Sequence, residues 1–161
     1  MSQAVLFFHL CMLFQLKHFV ADYLFQGKYM LGKFKEDWSF FLPLLSHVAV
    51  HGAMTLIVCL IFAPSLWWLA FVDMTVHFLM DRIKASPHYM GRWKSLTGEQ
   101  YMEALRQVDS LPKYRLVFCP DHPGWSAMDK LRSNRNFWYS LGFDQMVHHL
   151  TDLFIVYMIV V

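Results

Sequence analysis

A chain of 161 residues is one domain's worth, yet 57% of this one is hydrophobic and 17% aromatic. A soluble domain of that length has too little interior to bury so much apolar surface. The net charge of +2 provides no basic tail for nucleic acid, and the three cysteines, Cys11, Cys59 and Cys119, lack the paired spacing of a zinc knuckle.

The apolar residues fall in long blocks, as in helices that cross a bilayer, which takes roughly 20 residues. The first block, Ala4–Phe25, has no basic stretch ahead of it and no small-residue cleavage site. It therefore reads as a spanning helix and not as a removed signal. Lys17 lies within it and either snorkels to the interface or faces a polar interior. A connection carrying Lys28, Lys33 and Lys35 leads to the second block, Phe40–Phe62, with Pro43 in the first turn, where its missing N–H does no harm. After the Ala63–Ser65 turn comes the third block, Leu66–Ile83. Cys11 and Cys59 fall near the same membrane face and read as two buried thiols in preference to a disulfide.

The region Ala85–Asn136 is the one soluble-looking part. Thr97–Gln100 has the Thr-x-x-Gln form of a capping box, followed by an apolar stripe of Tyr101, Leu105 and Val108 and a stop at Pro112. This predicts an amphipathic helix on the cytoplasmic surface, packed against the bundle or the lipid. Cys119 and His122 lack two further ligands, so their segment reads as a turn. The fourth block is Phe137–Val161. Trp38, Trp67, Trp68 and Trp138 all fall at block ends, where indole rings favour the interface. The expected fold is all-α: a single domain over residues 1–161, built as a four-transmembrane-helix bundle with a cytoplasmic insertion between helices 3 and 4.

Charge sets the orientation. The first connection carries three lysines and the segment from Arg82 to Arg135 carries ten Lys or Arg, while both ends and the Ala63–Ser65 turn carry none. The positive-inside rule places both connections in the cytoplasm and both termini outside, in a multi-pass inner-membrane protein.

Each block also carries polar residues at steps of four, hence on one helical face. They are His18, Asp22 and Gln26 in the first, His47, His51 and Thr55 in the second, Asp73, His77 and Asp81 in the third, and Asp144, His148 and Asp152 in the fourth. An aspartate inside a span costs about 3 kcal/mol on insertion scales, so these faces must turn inward and be compensated. Counted from the cytoplasmic end at 1.5 Å per residue, His18, His47, His77 and Asp144 all lie roughly 10 Å deep. His51, Asp73 and His148 are deeper, and Asp22 and Asp81 shallower. Four stripes meeting at one level point to a metal site. Its candidate ligands are His18, Asp22, His47, His51, His77, Asp81, Asp144 and His148, with Asp22 or Asp144 as a catalytic base. Nitrogen and carboxylate donors without thiolate suit one or two divalent ions, zinc first, with iron or manganese as alternatives. Asp73 and Asp152 are the weakest candidates and read as orienting groups. His149 points about 100° away from His148 and is left out. His9, His88 and His122 lie outside the cluster.

At these residues the chain resembles a family of small bacterial and phage membrane proteins known as domain of unknown function 3307. The resemblance rests on HFVADYLFQ at His18–Gln26, HVAVH at His47–His51, HFLMDRIK at His77–Lys84 and FDQMVHHL at Phe143–Leu150. It covers all four blocks but not clearly Ala85–Asn136, and Tyr23 stands where phenylalanine is commoner. The family implies no settled activity, although its layout is similar to that of membrane-bound metal-dependent hydrolases.

The function expected is a membrane-embedded metal-dependent hydrolase acting on a lipid or membrane-associated substrate near the cytoplasmic face, with the bilayer as a further partner. Two alternatives use the same ligands. A di-iron oxidase or desaturase-like enzyme would place His boxes similarly, but the paired HxxHH boxes are missing and His148–His149 is only a partial echo. A metal or proton carrier would hold its ion transiently, and the broken helices or inverted repeats common in carriers are not seen.

Overall fold

The computed structural model describes residues 2–35, 37–85, 103, 106 and 135–161. Four α-helices are described end to end: α1 (Gln3–Phe19), α2 (Phe41–Phe62), α3 (Leu69–Ala85) and α4 (Arg135–Val160). No strand occurs among the described residues, so the fold is all-α. The capping box, the amphipathic stripe and the Cys119–His122 turn lie outside the described residues.

Local chemistry accounts for the helix limits. Ser2 caps α1 through its side chain, which accepts from the Val5 N–H. α1 continues without a break into a π-helical turn, Val20–Leu24, closed by Phe25 N–H donating to the Val20 carbonyl at 3.0 Å. The α2–α3 connection is short because α2 stops at Ala63 and Pro64–Leu66 forms a single 3₁₀ turn with proline at its start. Gln3 Nε2 donates to the Val160 carbonyl, tying the start of α1 to the end of α4, so these two helices run antiparallel. α2 packs most extensively on α3, and α4 packs on both α1 and α3. Gly52 allows the α2–α3 approach: a Cβ there would collide with the Met74 side chain and press on the Ala70 carbonyl.

The burial pattern is the reverse of that of a soluble protein. On α1 the outward face is Phe8, Met12, Leu16, Phe19 and Tyr23, all exposed, while Lys17 and His18 are buried. On α4, Phe143, Met146, Leu150, Phe154 and Tyr157 are exposed and Asp144, His148 and Asp152 are buried. Large exposed apolar faces on every helix, wrapped around buried charges, are what lipid and not water selects. The segments Gln3–Leu24 and Trp38–Phe62 are long and apolar enough to cross a membrane.

Inside, the bundle has two layers. At the end where α1 begins and α4 ends lies an apolar cluster of Leu10, Phe14, Val58, Cys59, Leu69, Ile155 and Val156. Cys11 and Cys59 are free thiols there, as expected, but only Cys59 is buried and Cys11 is half-buried. The other layer, toward the end of α1 and α3, is polar, flanked by a smaller apolar cluster of Phe40, Leu44 and Val48 at the start of α2.

The first connection, read from the sequence only as a basic cytoplasmic segment, is structured. It contains two 3₁₀ turns, Met30–Phe34 and Trp38–Phe40, and folds back onto the ends of α2 and α3. Lys33 is buried, with Nζ 2.7 Å from Asp81 Oδ2. Arg82 stacks 3.5 Å above the Phe40 ring and donates to the Lys35 carbonyl.

Candidate metal centre

The polar layer is built from side chains one helical turn apart. His18 belongs to the last turn of α1 and Asp22 to the π-helical turn that follows, with His18 Nε2 3.1 Å from Asp22 Oδ2. π-turns inside helices recur at functional sites because they re-aim side chains that an α-turn would place elsewhere. α2 contributes His47 and His51, α3 contributes Asp73, His77 and Asp81, and α4 contributes Asp144, His148 and Asp152. All of these but Asp22 are buried, and Asp22 is only 14% exposed at its side chain. Gln26, predicted on the same face, lies past the π-turn and is half-buried.

The imidazoles meet at the bundle axis. His77 and His148 stack at 4.0 Å between centroids, His51 lies 4.0 Å from His77, and His18 is 5.4–5.6 Å from His51, His77 and His148. His18, His77 and His148 each offer a ligand atom within 4.8 Å of the other two, and so do Asp22, His47 and His51. The His77 orientation is fixed: its Nδ1 donates to the Asp73 carbonyl at 3.0 Å and sits 3.0 Å from Asp73 Oδ1, leaving Nε2 without a partner. Both ring nitrogens of His18 and of His148 also lack a hydrogen-bond partner. Buried polar atoms are nearly always satisfied, so three imidazoles with unpartnered nitrogens and ligand atoms within 4.8 Å of one another mark a place built for something else. A cation that accepts nitrogen donors, with an orienting carboxylate behind one of them, is the chemistry that fits.

Asp22 is the hub of the shallower side. Its Oδ1 accepts from His51 Nε2 at 3.0 Å and lies 3.4 Å from His47 Nε2. Its Oδ2 faces His18 and accepts from Gln145 Nε2 at 3.3 Å.

Three lysines complete the layer. Lys17 Nζ donates to Asp73 Oδ2 and Asp152 Oδ1, both at 2.9 Å, and to Thr55 Oγ1 at 3.1 Å. Thr55 in turn donates to Asp73 Oδ2 at 2.6 Å. Of the two environments open to Lys17, the structure places it in the interior. Lys33 holds Asp81, and Lys84 Nζ lies 2.6 Å from Asp144 Oδ2. Asp81 Oδ2 is also 3.3 Å from His47 Nε2, while Asp144 Oδ1 has no hydrogen-bond partner and stands 3.9 Å from His148 Nε2.

Sequence reasoning missed Lys33, Lys84, Gln145 and His149 as members of this layer. His149 is half-buried with its ring 4.9 Å from that of His18, and it forms a further group with His18 and Asp152. The interior arc of α4 is therefore wider than a single i, i+4 stripe, and adjacency to His148 was the available signal. Gln145 could have been found through its place beside Asp144. Lys33 and Lys84 had no such signal, because basic residues at the ends of spans usually stay in solvent.

Residues 10–161 match the family described as protein of unknown function, DUF3307, and the chain belongs to it. No curated protein and no solved structure matches the chain.

Proposed function

We propose that this is a four-span membrane protein whose interior holds a metal centre, and that the centre hydrolyses a lipid or membrane-associated substrate close to the cytoplasmic face. The observation that carries the reading is the set of unpartnered, buried nitrogens of His18, His77 and His148, with ligand atoms within 4.8 Å of one another. α3 and α4 join the two membrane-length segments as spans because they have the same exposed apolar face and buried polar stripe. Charge asymmetry puts the first connection and the 86–134 region in the cytoplasm and both termini outside.

A bound divalent metal, zinc before iron or manganese given the nitrogen and oxygen donors, would lower the pKa of a water toward neutrality. The chain supplies the rest. Asp73 holds the His77 ring so that Nε2 faces the centre. Asp144 keeps one carboxylate oxygen on Lys84 and the other free, the arrangement of a positioned base that accepts a proton from water. The apolar cluster closes the layer toward the far face. Its more exposed members, Asp22 at 14% and Lys84 at 19% of their side chains, lie at the opposite end. A site open on one side suits chemistry at the headgroup level better than a route through the bundle, which weighs against the carrier alternative.

Elemental analysis of detergent-purified protein tests this together with thermal unfolding. Bound metal is expected, and chelator should lower the thermal midpoint, because a ligand of the folded state stabilises it by about 2.7 kcal/mol at 100 times its Kd. His77→Ala should lose both the metal and the response, whereas His9→Ala, on the exposed side of α1, should keep both. Metal-free protein whose midpoint ignores chelator would end the metal reading and the hydrolase reading with it.

A further inference from the structure

We infer that the centre takes one divalent cation per chain, with Asp22 as its carboxylate ligand, and that the Lys17 ammonium stands where a second cation would otherwise sit. This rests on the metal reading above and sharpens it.

The argument is one of charge and partners. Among the described residues, five carboxylates enter the polar layer: Asp22, Asp73, Asp81, Asp144 and Asp152. Three ammoniums enter it with them: Lys17, Lys33 and Lys84. With neutral histidines this leaves two negative charges in a low-dielectric interior, where uncompensated charge is strongly disfavoured. One divalent ion closes the balance, and two would overshoot it by two positive charges.

The partners say where that ion goes. Lys17 spans Asp73 and Asp152 at 2.9 Å each, Lys33 holds Asp81 at 2.7 Å and Lys84 holds Asp144 at 2.6 Å. Among the described residues Asp22 has no lysine or arginine at ion-pair distance. Its contacts are imidazoles and an amide: His18, His47, His51 and Gln145.

The five candidate ligand groups sort the same way. The groups His51–Asp73–His77 and His18–His149–Asp152 both contain a carboxylate already taken by Lys17. In Asp81–Asp144–His148 each carboxylate already has one oxygen neutralised by a lysine, Lys33 or Lys84. What remains is His18–His77–His148 beside Asp22–His47–His51, joined where His18 Nε2 meets Asp22 Oδ2 at 3.1 Å. His51 and His47 hold Asp22 Oδ1, which leaves Oδ2 facing His18 Nε2 at 3.1 Å. The ligand set is therefore the His18–His77–His148 triad, which Asp22 Oδ2 joins from its place beside His18 Nε2, with His47 and His51 positioning the carboxylate. Lys17 serves as a built-in monovalent substitute for a second metal, bridging two carboxylates as a bridged ion would.

The test is metal stoichiometry on the full chain, purified in detergent, saturated with zinc or manganese and desalted. Wild type should hold one ion. Asp22→Asn should retain less than a tenth of it, and Asp152→Asn, which leaves Lys17 its Asp73 partner, should retain all of it. Lys17→Met frees Asp73 and Asp152 and should hold two ions in excess metal. Two ions in wild type, or full retention by Asp22→Asn, would overturn the inference while leaving the metal reading intact. A single ion in monodisperse Lys17→Met would refute the role given to Lys17. If Lys17→Met does not fold, the wild-type count and the two aspartate variants still decide between one and two ions and fix the ligand. No ion in wild type removes the metal reading itself, an outcome distinct from all of these.

Discussion

The two layers of this bundle are both largely buried and are held by opposite means. Around Phe14 and Leu10 the contacts are apolar and non-directional, and any close-packed set of similar volume would serve. Around His18 and Lys17, one helical turn beyond Phe14 on the same helix, each group depends on a named partner at a fixed distance. In lipid the apolar layer gains little from leaving its surroundings, since acyl chains solvate it as well as the core does, so its contribution is packing. The polar layer has the larger penalty if left unpaired and therefore the stronger demand for one arrangement. The difference separates stability from chemistry: one layer closes the bundle and the other holds charge where a reaction can use it.

Substitutions should pull the two layers apart. The largest loss of stability is expected for Phe14→Ala, about 3 kcal/mol. That is the low end for a buried phenylalanine, because lipid or detergent receives the exposed surface readily. Denaturant titration in detergent would measure it. Metal content and the chelator-induced shift in the thermal midpoint should stay at wild-type values, and a Phe14→Ala protein that also lost its metal would show that the layers are coupled. Asp73→Asn should act on the other layer. It weakens the hold on His77 while preserving shape, and loss of such an orienting carboxylate lowers metal affinity roughly 10–100-fold, or about 1.4–2.8 kcal/mol. Competition with a metal-sensitive dye would read this, and an unchanged affinity would mean that His77 needs no orientation.

The smallest effect expected is graded with pH. Only neutral imidazole binds metal, so protons compete with the ion as pH falls through the ordinary histidine range near 6.5, and the metal-derived part of the stability disappears in that direction. The gap between metal-loaded and chelated midpoints should be full at pH 8 and should shrink below pH 6. The Phe14→Ala deficit should not change over the same interval, because no group in the apolar layer titrates there. A gap that persisted at pH 5 would argue against histidine ligands.

How much of this was legible in the residues can be judged from particular cases. Helical periodicity needs only local information, so the blocks, their polar faces and their common depth could all be read in advance. His18, His47, His51, His77 and His148 indeed lie together. Periodicity gives the direction a side chain takes from its own axis. It does not give the distance to a neighbouring helix or which of several carboxylates an ammonium will choose. Lysine stems are long enough to cross from one element to another, so Lys33 reaches Asp81 from the first connection, and Lys84 reaches Asp144 from α3 to α4. Packing likewise decided that the interior arc of α4 is wide enough to admit His149 beside His148. The sequence determined that four helices carry charge on one face each, because that follows from spacing. Only the tertiary structure decided that four of the five aspartates are paired with lysine and that Asp22, among the described residues, has imidazoles and an amide around it but no ammonium, because pairing depends on distances between helices.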